Sequence, residues 1–394
     1  MAKNLDFNRH ISFEENYSFF LFGARGTGKT TLLEKFFKNK AKFLDLLNPE
    51  LESRFKRNPN ILIEIVNSLT DDEKYIVIDE VQKVPELLDI VHGLIERTPK
   101  LFILTGSSAR KLKRGNANLL AGRAFTYKLY PFTSFELVDN FNLSHALHWG
   151  LIPKVQEFET DKAKEKFLIA YAQTYLKEEI FAEQFVRALD PFRHFLELAA
   201  QMNGKILNFT KLSRDIGIDD KTIKKYYSIL EDTLLGFSLK AFKHSFRKQL
   251  QTKAKFYLFD TGVKRSLDNT LSIPLKEGSS AYGEAFEHFI ILEIIKLSSY
   301  FHEDYRFSYL KTKDDAEVDL IVERPGQPYL FIEIKSSKEV QESHLTNLIR
   351  LSNDFGDCVP ICLSQDSIKR KISNVEVYPW QEGIKQMLNL CNSV

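Results

Sequence analysis

The stretch Gly23-Ala24-Arg25-Gly26-Thr27-Gly28-Lys29-Thr30 has the composition and order of a phosphate-binding loop. Ahead of it, Phe19-Phe20-Leu21-Phe22 predicts a buried strand. Behind it, Thr31-Leu32-Leu33-Glu34-Lys35-Phe36-Phe37 predicts an amphipathic helix. That order has a physical basis. Glycines let the backbone curl so that successive N–H groups point at phosphate oxygens, and the helix N-terminus adds partial positive charge. Residues Gly23 to Thr31 are therefore expected to cradle a nucleoside triphosphate, taken as ATP. Lys29 is expected to reach the β- and γ-phosphates, and the Thr30 hydroxyl to hold Mg²⁺.

Such a loop needs a second apolar strand ending in an acid. Tyr75-Ile76-Val77-Ile78-Asp79-Glu80 supplies it, and its β-branched run suits a strand covered on both faces. Asp79 is expected in the outer shell of the metal, and Glu80 as the base that activates the attacking water. A third strand, Leu101-Phe102-Ile103-Leu104, ends in Thr105-Gly106-Ser107-Ser108. Thr105 and Ser107 read as γ-phosphate sensors or as an ordinary strand-end turn. The basic residues Arg110, Lys111, Lys113 and Arg114, then Gly122-Arg123, offer an arginine finger for a neighbouring subunit's nucleotide, which would require a homo-oligomer. Arg123 is the preferred finger and Arg110 the reserve, with a solvated basic loop as the alternative.

Composition sets the outer limits. A chain of 394 residues predicts two or three domains, at roughly 150 residues each. The net charge of +2 carries no signal, so any charge signal must be local. Met1-Ala2-Lys3-Asn4-Leu5-Asp6 does not begin a charged-then-apolar leader, and no apolar run is long enough to span a membrane. The three cysteines, Cys358, Cys362 and Cys391, have no paired metal-ligand partner and read as reduced thiols, hence a cytoplasmic setting.

Several longer strings resemble one family. Asp79-Glu80-Val81-Gln82-Lys83-Val84-Pro85-Glu86-Leu87, Leu104-Thr105-Gly106-Ser107-Ser108, Leu120-Ala121-Gly122-Arg123 and Leu129-Tyr130-Pro131-Phe132 look like bacterial and archaeal AAA-type ATPases that carry a C-terminal domain of unknown function. Gly150-Leu151-Ile152-Pro153 and Tyr175-Leu176-Lys177-Glu178-Glu179-Ile180 are similar to it as well. The expected architecture is a multidomain α/β chain. An AAA-type P-loop domain with a parallel sheet covers residues 1–145, a helical and winged-helix segment 146–265, and a third α/β domain 266–394.

In the middle segment, Phe167, Ala170, Tyr171 and Tyr175 recur at helical spacing and predict one buried face. Further on, a helix around Phe192–Gln201 precedes Lys211-Leu212-Ser213-Arg214-Asp215-Ile216. The turn Gly217-Ile218-Asp219-Asp220 then leads into Thr222–Leu230, with Asp220 as the expected N-cap. Two strands follow, Gly236–Phe242 and Lys255–Phe259, and the loop between them carries His244, Arg247, Lys248 and Lys253 as a wing. Lys240 to Arg265 hold eight Lys or Arg and a single acid, Asp260. With Lys221, Lys224 and Lys225 on the second helix, this predicts contact with nucleic acid, DNA in particular. The alternative is a protein–protein spacer with solvated basic loops.

The C-terminal third holds the second chemical pattern. Tyr282–Glu293 predicts a helix with acids at its start. Ala316-Glu317-Val318-Asp319-Leu320-Ile321-Val322 and Tyr329-Leu330-Phe331-Ile332-Glu333-Ile334-Lys335 predict strands joined by a hairpin at Arg324–Pro328. Strand alternation sends Glu333 and Lys335 to one face, where Asp319 can meet them. An acid, a gap and Glu-x-Lys form the arrangement of restriction-endonuclease-like nucleases. On that reading Asp319, Glu333 and Glu287, with Glu284 less favoured, hold Mg²⁺ or Mn²⁺, and Lys335 positions or activates water. A salt-bridged hairpin is the alternative. The family resemblance implies the same fold through Gly283, Phe286, Glu287, Glu317, Val318, Asp319, Glu333 and Lys335. Such folds also occur as binding modules without cleavage, so the rival reading of the whole chain is a slow nucleotide-operated switch with an inactive nuclease fold.

Overall fold

In the N-terminal third, short apolar runs become the strands of a five-stranded parallel sheet. β1 (Ser18–Phe22), β3 (Tyr75–Asp79) and β4 (Leu101–Gly106) are almost wholly buried. The edge strands β2 (Ala41–Asp45) and β5 (Ala124–Lys128) are largely exposed, which is why their sequences carry no clear strand signal. The order is β2-β3-β4-β1-β5. β4 therefore lies between the strand that feeds the glycine loop and the strand that ends in Asp79. Helices α1 (Lys29–Phe37), α2 (Pro49–Arg57), α3 (Ile61–Asn67) and α4 (Leu87–Arg97) complete this layer. The computed structural model describes residues 8–107, 120, 122–175, 189–242 and 253–390.

A helical turn at Ser134–Leu137, locked by a Thr133/Glu136 capping box, leads to α5 (Leu143–Trp149) and α6 (Asp161–Ala170). α6 continues as a π turn over Tyr171–Tyr175. Its buried positions are Lys164, Leu168, Tyr171 and Ala172, whereas Ala170 is exposed. Tyr171 is on the expected buried face and Phe167 is half-buried, but the buried stripe runs through Lys164, Leu168 and Ala172 at spacings of four, which turns Ala170 outward. The side chain of Tyr175 and residues 176–180 lie outside the described residues.

Next come α7 (Leu189–Gln201), α8 (Phe209–Ile216), α9 (Asp220–Asp232) and an antiparallel hairpin, β6 (Gly236–Ala241) with β7 (Lys255–Leu258). Gly217 ends α8 at φ +77°, a left-handed cap that suits glycine. The cap of α9 is Asp219, whose carboxylate accepts from Thr222 N at 2.9 Å, and not Asp220 as expected. An Asp side chain caps the N–H three residues on, and that places it one position earlier. His244, Arg247 and Lys248 lie outside the described residues.

The hairpin does not stop at a domain border. β6 pairs in parallel with β8 (Arg306–Lys311) and so extends an eight-stranded sheet ordered β12-β13-β11-β10-β9-β8-β6-β7. The other members are β9 (Glu317–Glu323), β10 (Tyr329–Lys335), β11 (Cys358–Ser364), β12 (Arg370–Ile372) and β13 (Val375–Pro379). The division expected at residue 265 thus separates the hairpin from strands to which it is bonded.

After α10 (Thr261–Leu267), the 22-residue helix α11 (Ser280–Phe301) ties the regions together. Phe286, Phe289, Ile290, Ile294 and Leu297 are buried, and so are His288, Glu293 and Lys296. The polar residues are paired. Ser134 donates to Glu293 through N (2.7 Å) and Oγ (2.6 Å), Lys296 Nζ donates to Phe132 O (3.1 Å), and His288 Nε2–H donates to Leu258 O (2.6 Å). Among the described residues no helix is long and apolar enough to cross a membrane.

Candidate functional site

The glycine loop sits at the carboxyl end of the parallel sheet. Gly28 has φ +89° and opens α1, so the backbone turns its N–H groups toward a common centre. Gly23 is required for a different reason: a Cβ there would lie 2.5 Å from Leu129 O. Lys29 is buried and its ammonium donates to the loop's own carbonyls, Gly23 O at 2.8 Å and Ala24 O at 3.4 Å. Thr27 Oγ1 donates to Ala24 O at 2.8 Å and braces the curl. Arg25 and Thr31 are exposed at the rim.

The strand order brings the expected acidic partners to this loop. Thr30 Oγ1 donates to Asp79 Oδ2 at 2.6 Å. Thr105, at the end of the intervening strand, donates to the other Asp79 oxygen and accepts from Glu80 N at 3.1 Å. Glu80 has φ +58°, a turn that swings its side chain away from β3. There its carboxylate accepts from Gln82 Nε2, which also lies 3.5 Å from Ser107 Oγ. Sequence reasoning did not single out Gln82, which the structure places between Glu80 and Ser107. Its signal was its position two residues after Glu80, and its Oε1 is buried without a hydrogen-bond partner. Thr30 and Asp79 present hard oxygen donors beside the phosphate cradle, so the site fits Mg²⁺ carried with ATP. Arg123 pairs with Glu96 on the surface of the same domain; Arg110 lies outside the described residues.

The loop is also packed from outside. Tyr171 OH donates to Arg25 O at 2.7 Å, and Ala24 belongs to the apolar cluster of Ile152, Val155, Leu168 and Tyr171. The phosphate loop and the middle segment therefore share one core.

In the middle segment Lys221, Lys224 and Lys225 are exposed on α9, with Lys224 paired to Asp220 at 3.2 Å. Lys253 is exposed at the start of the hairpin's second arm. Lys255 and Arg265, counted above with the basic run, are buried instead. Arg265 donates to Thr270 O and Ile273 O in the segment that follows its own helix.

In the third region the hairpin β9–β10 sets Asp319, Glu333 and Lys335 side by side. Lys335 Nζ lies 2.6 Å from Glu333 Oε1, and Asp319 Oδ2 accepts from Ile334 N at 2.8 Å. Burial pushes Asp319 upward and the neighbouring Glu287 charge adds to it. Burial likewise raises Glu333, with Asp319 adding to it. Lys335 is raised to about 12: burial opposes its charge, but the two carboxylates outweigh that cost. Glu284 is exposed and lines a separate cleft.

The expected metal shell is not assembled. Glu287 Oε1 accepts from Tyr257 OH at 2.8 Å and faces Lys255 Nζ at 3.7 Å. Lys255 Nζ lies 2.5 Å from Glu317 Oε1, and Lys311 Nζ 2.9 Å from Glu317 Oε2. No group of three or more His, Cys, Asp or Glu arranged to hold a metal ion occurs among the described residues. The carboxylates as placed do not fit Mg²⁺ or Mn²⁺, because an ammonium already supplies their positive charge.

Fold and loop together define a P-loop nucleotide-binding protein, and the comparisons refine that class. Residues 15–138 match the family described as AAA domain, so this part of the chain is an AAA-type P-loop ATPase domain. Residues 140–273 match one domain of unknown function, DUF8612, and residues 282–382 another, DUF4143. An uncharacterized protein of Mycobacterium tuberculosis is 26% identical over 340 residues, covering 84% of this chain and 73% of its own length. An uncharacterized protein of Haemophilus influenzae is 22% identical, covering 73% of this chain and 72% of its own. One of Methanocaldococcus jannaschii is also 22% identical, covering 85% and 80%. The solved Aeropyrum pernix ORC1 protein in complex with DNA aligns over 66% of this chain and 87% of its own, at 12% identity and TM-score 0.26. So distant a likeness carries no argument.

Proposed function

We propose that the chain is an ATP-hydrolysing protein that acts on DNA, with a winged-helix middle and a restriction-endonuclease-like C-terminal fold that binds rather than cleaves. The observation that carries the ATPase half is the bonded chain Thr30–Asp79–Thr105–Glu80 beside the glycine loop. Bound Mg²⁺ would supply charge neutralisation for the phosphates. Lys29 would leave its loop carbonyls to meet the β- and γ-phosphates. Glu80, released from Gln82, would take the proton of the attacking water, and Thr105 would hold Asp79 in place.

Two features support DNA as the partner. Three lysines are exposed on α9, the second helix of a helix–turn–helix pair, and the hairpin that follows has the position of a wing. The restriction-endonuclease-like reading rests on the order of α11, β8, β9 and β10 and on the Asp319, Glu333, Lys335 grouping. The lysine-filled carboxylate cluster favours binding over cleavage. Arg123 remains the proposed finger, acting between subunits after leaving Glu96.

The deciding measurement is ATP turnover with and without duplex DNA. Glu80→Gln should keep ATP binding and lose turnover. Replacing Lys221, Lys224 and Lys225 by Ala should lower DNA affinity and its salt dependence. Wild-type turnover by Glu80→Gln would overturn the assignment.

A further inference from the structure

Lys255 is 4% exposed, and its buried ammonium faces two carboxylates. It starts on β7, near the outer edge of the eight-stranded sheet, and crosses the ring of Tyr309 on β8, its Nζ 5.2 Å from the centroid. It ends against Glu317 on β9 and Glu287 on α11. Tyr257, two residues on and so on the same strand face, binds the same Glu287 oxygen. The positive charges of Lys255 and Lys311 hold Glu317 ionised against the effect of burial.

The donor of this ammonium is not part of the region it enters. Residues 140–273, which contain Lys255, match one family, whereas Glu287, Glu317, Asp319, Glu333 and Lys335 fall in the segment 282–382 that matches another. Two of the C-terminal carboxylates, Glu287 and Glu317, are thus met by a side chain from the neighbouring region. One oxygen points to unsatisfied binding capacity. Glu333 is 7% exposed and its Oε2 is buried with no hydrogen-bond partner, beside Asp319 and Lys335. Without Lys255, Glu287 would lose its ammonium and Glu317 would keep only Lys311, beside a Glu333 oxygen that is already unpartnered, and that gain in net negative charge is what draws in a divalent cation.

We propose that Lys255 is the resident cation of the C-terminal cluster, occupying the place a divalent metal would take and keeping the site metal-free. This rests on the restriction-endonuclease-like reading of that region. An ammonium satisfies carboxylates by hydrogen bonds, but it cannot polarise a phosphodiester as a divalent ion does. A metal and the lysine would compete for the same carboxylate oxygens and repel each other there, so the two occupants exclude one another. The hairpin then decides which is present.

The test is Mn²⁺ binding to the full chain without nucleotide, read by the loss of the free-ion electron paramagnetic resonance signal. Wild type and Lys255→Arg should show no Mn²⁺ that depends on Asp319. Lys255→Met should gain such a site, with affinity roughly tenfold or more above wild type, and the double variant Lys255→Met/Asp319→Asn should lose it. Thermal unfolding of Lys255→Gln, with and without Mn²⁺, is the second arm and serves if Lys255→Met does not fold. Mn²⁺ should raise its midpoint and leave the wild-type midpoint unchanged. Asp319-dependent Mn²⁺ binding by wild type overturns the proposal, as does a folded lysine variant that binds none. DNA affinity and ATP turnover of the same proteins judge the functional reading separately.

Discussion

The two carboxylate sites of this chain solve opposite problems. At the glycine loop, Asp79 is held by two neutral hydroxyls, Thr30 and Thr105, and among the described residues no lysine is bonded to it. At the C-terminal cluster, Glu287 and Glu317 are met by the buried ammonium of Lys255. Hydroxyl donors orient a carboxylate without cancelling its charge, so the first site keeps its demand for a cation. A lysine cancels the charge, so the second does not. Two acidic patterns that look equally ready in sequence differ in what already occupies them.

The largest expected effect tests the first side of that contrast. Glu80→Gln should reduce ATP turnover by roughly 1000-fold while ATP still binds, in the range for loss of a general base. A small change in steady-state turnover would break the comparison at its catalytic end. Second, Lys255→Met should cost about 2 kcal/mol in urea unfolding near neutral pH, because Glu287 loses its ammonium and Glu317 keeps only Lys311. A neutral result would mean the ammonium is incidental.

A third prediction concerns how firmly the hairpin is held. Burial keeps His288 down at about 3, against 6.5 in an exposed chain. The unfolded state therefore takes up a proton first as pH falls, so stability should decline from pH 6.5 downward, by about 2 kcal/mol between pH 6.5 and 5. Asp319 and Glu333, raised by burial, act in the opposite sense, so the term is read as the difference between wild type and His288→Gln. The smallest effect belongs to Tyr171→Phe. It removes the bond to Arg25 O and should cost about 1 kcal/mol. A change in the KM for ATP with turnover retained would show that the middle segment shapes the loop.

Much of the first site was legible because it is local. The glycine loop, its flanking strand and helix, and the Asp79-Glu80 strand end each occupy a few consecutive residues. The hairpin that carries Asp319, Glu333 and Lys335 was legible for the same reason, since strand alternation decides which side chains share a face. Other features were read slightly or wholly out of place. Asp219 caps α9 instead of its neighbour, and the buried stripe of α6 runs through Lys164, Leu168 and Ala172 with Ala170 outside it. Lys255 and Arg265 were counted as surface charge in a basic run, although nothing in their own neighbourhood distinguishes them from Lys253.

By itself the sequence determined the chemistry within each short segment: a phosphate cradle, an acid at a strand end, a Glu-x-Lys face and a basic helix. Periodicity and backbone preference act over a few residues and leave a readable trace. Only the tertiary structure decided the strand order that sets Thr105 between the loop and Asp79, and the sheet extension that carries Lys255 to Glu317. Those contacts join residues 26 and 62 positions apart. A side chain's electrostatic partner at that range follows from how sheets and helices pack, which no local pattern encodes.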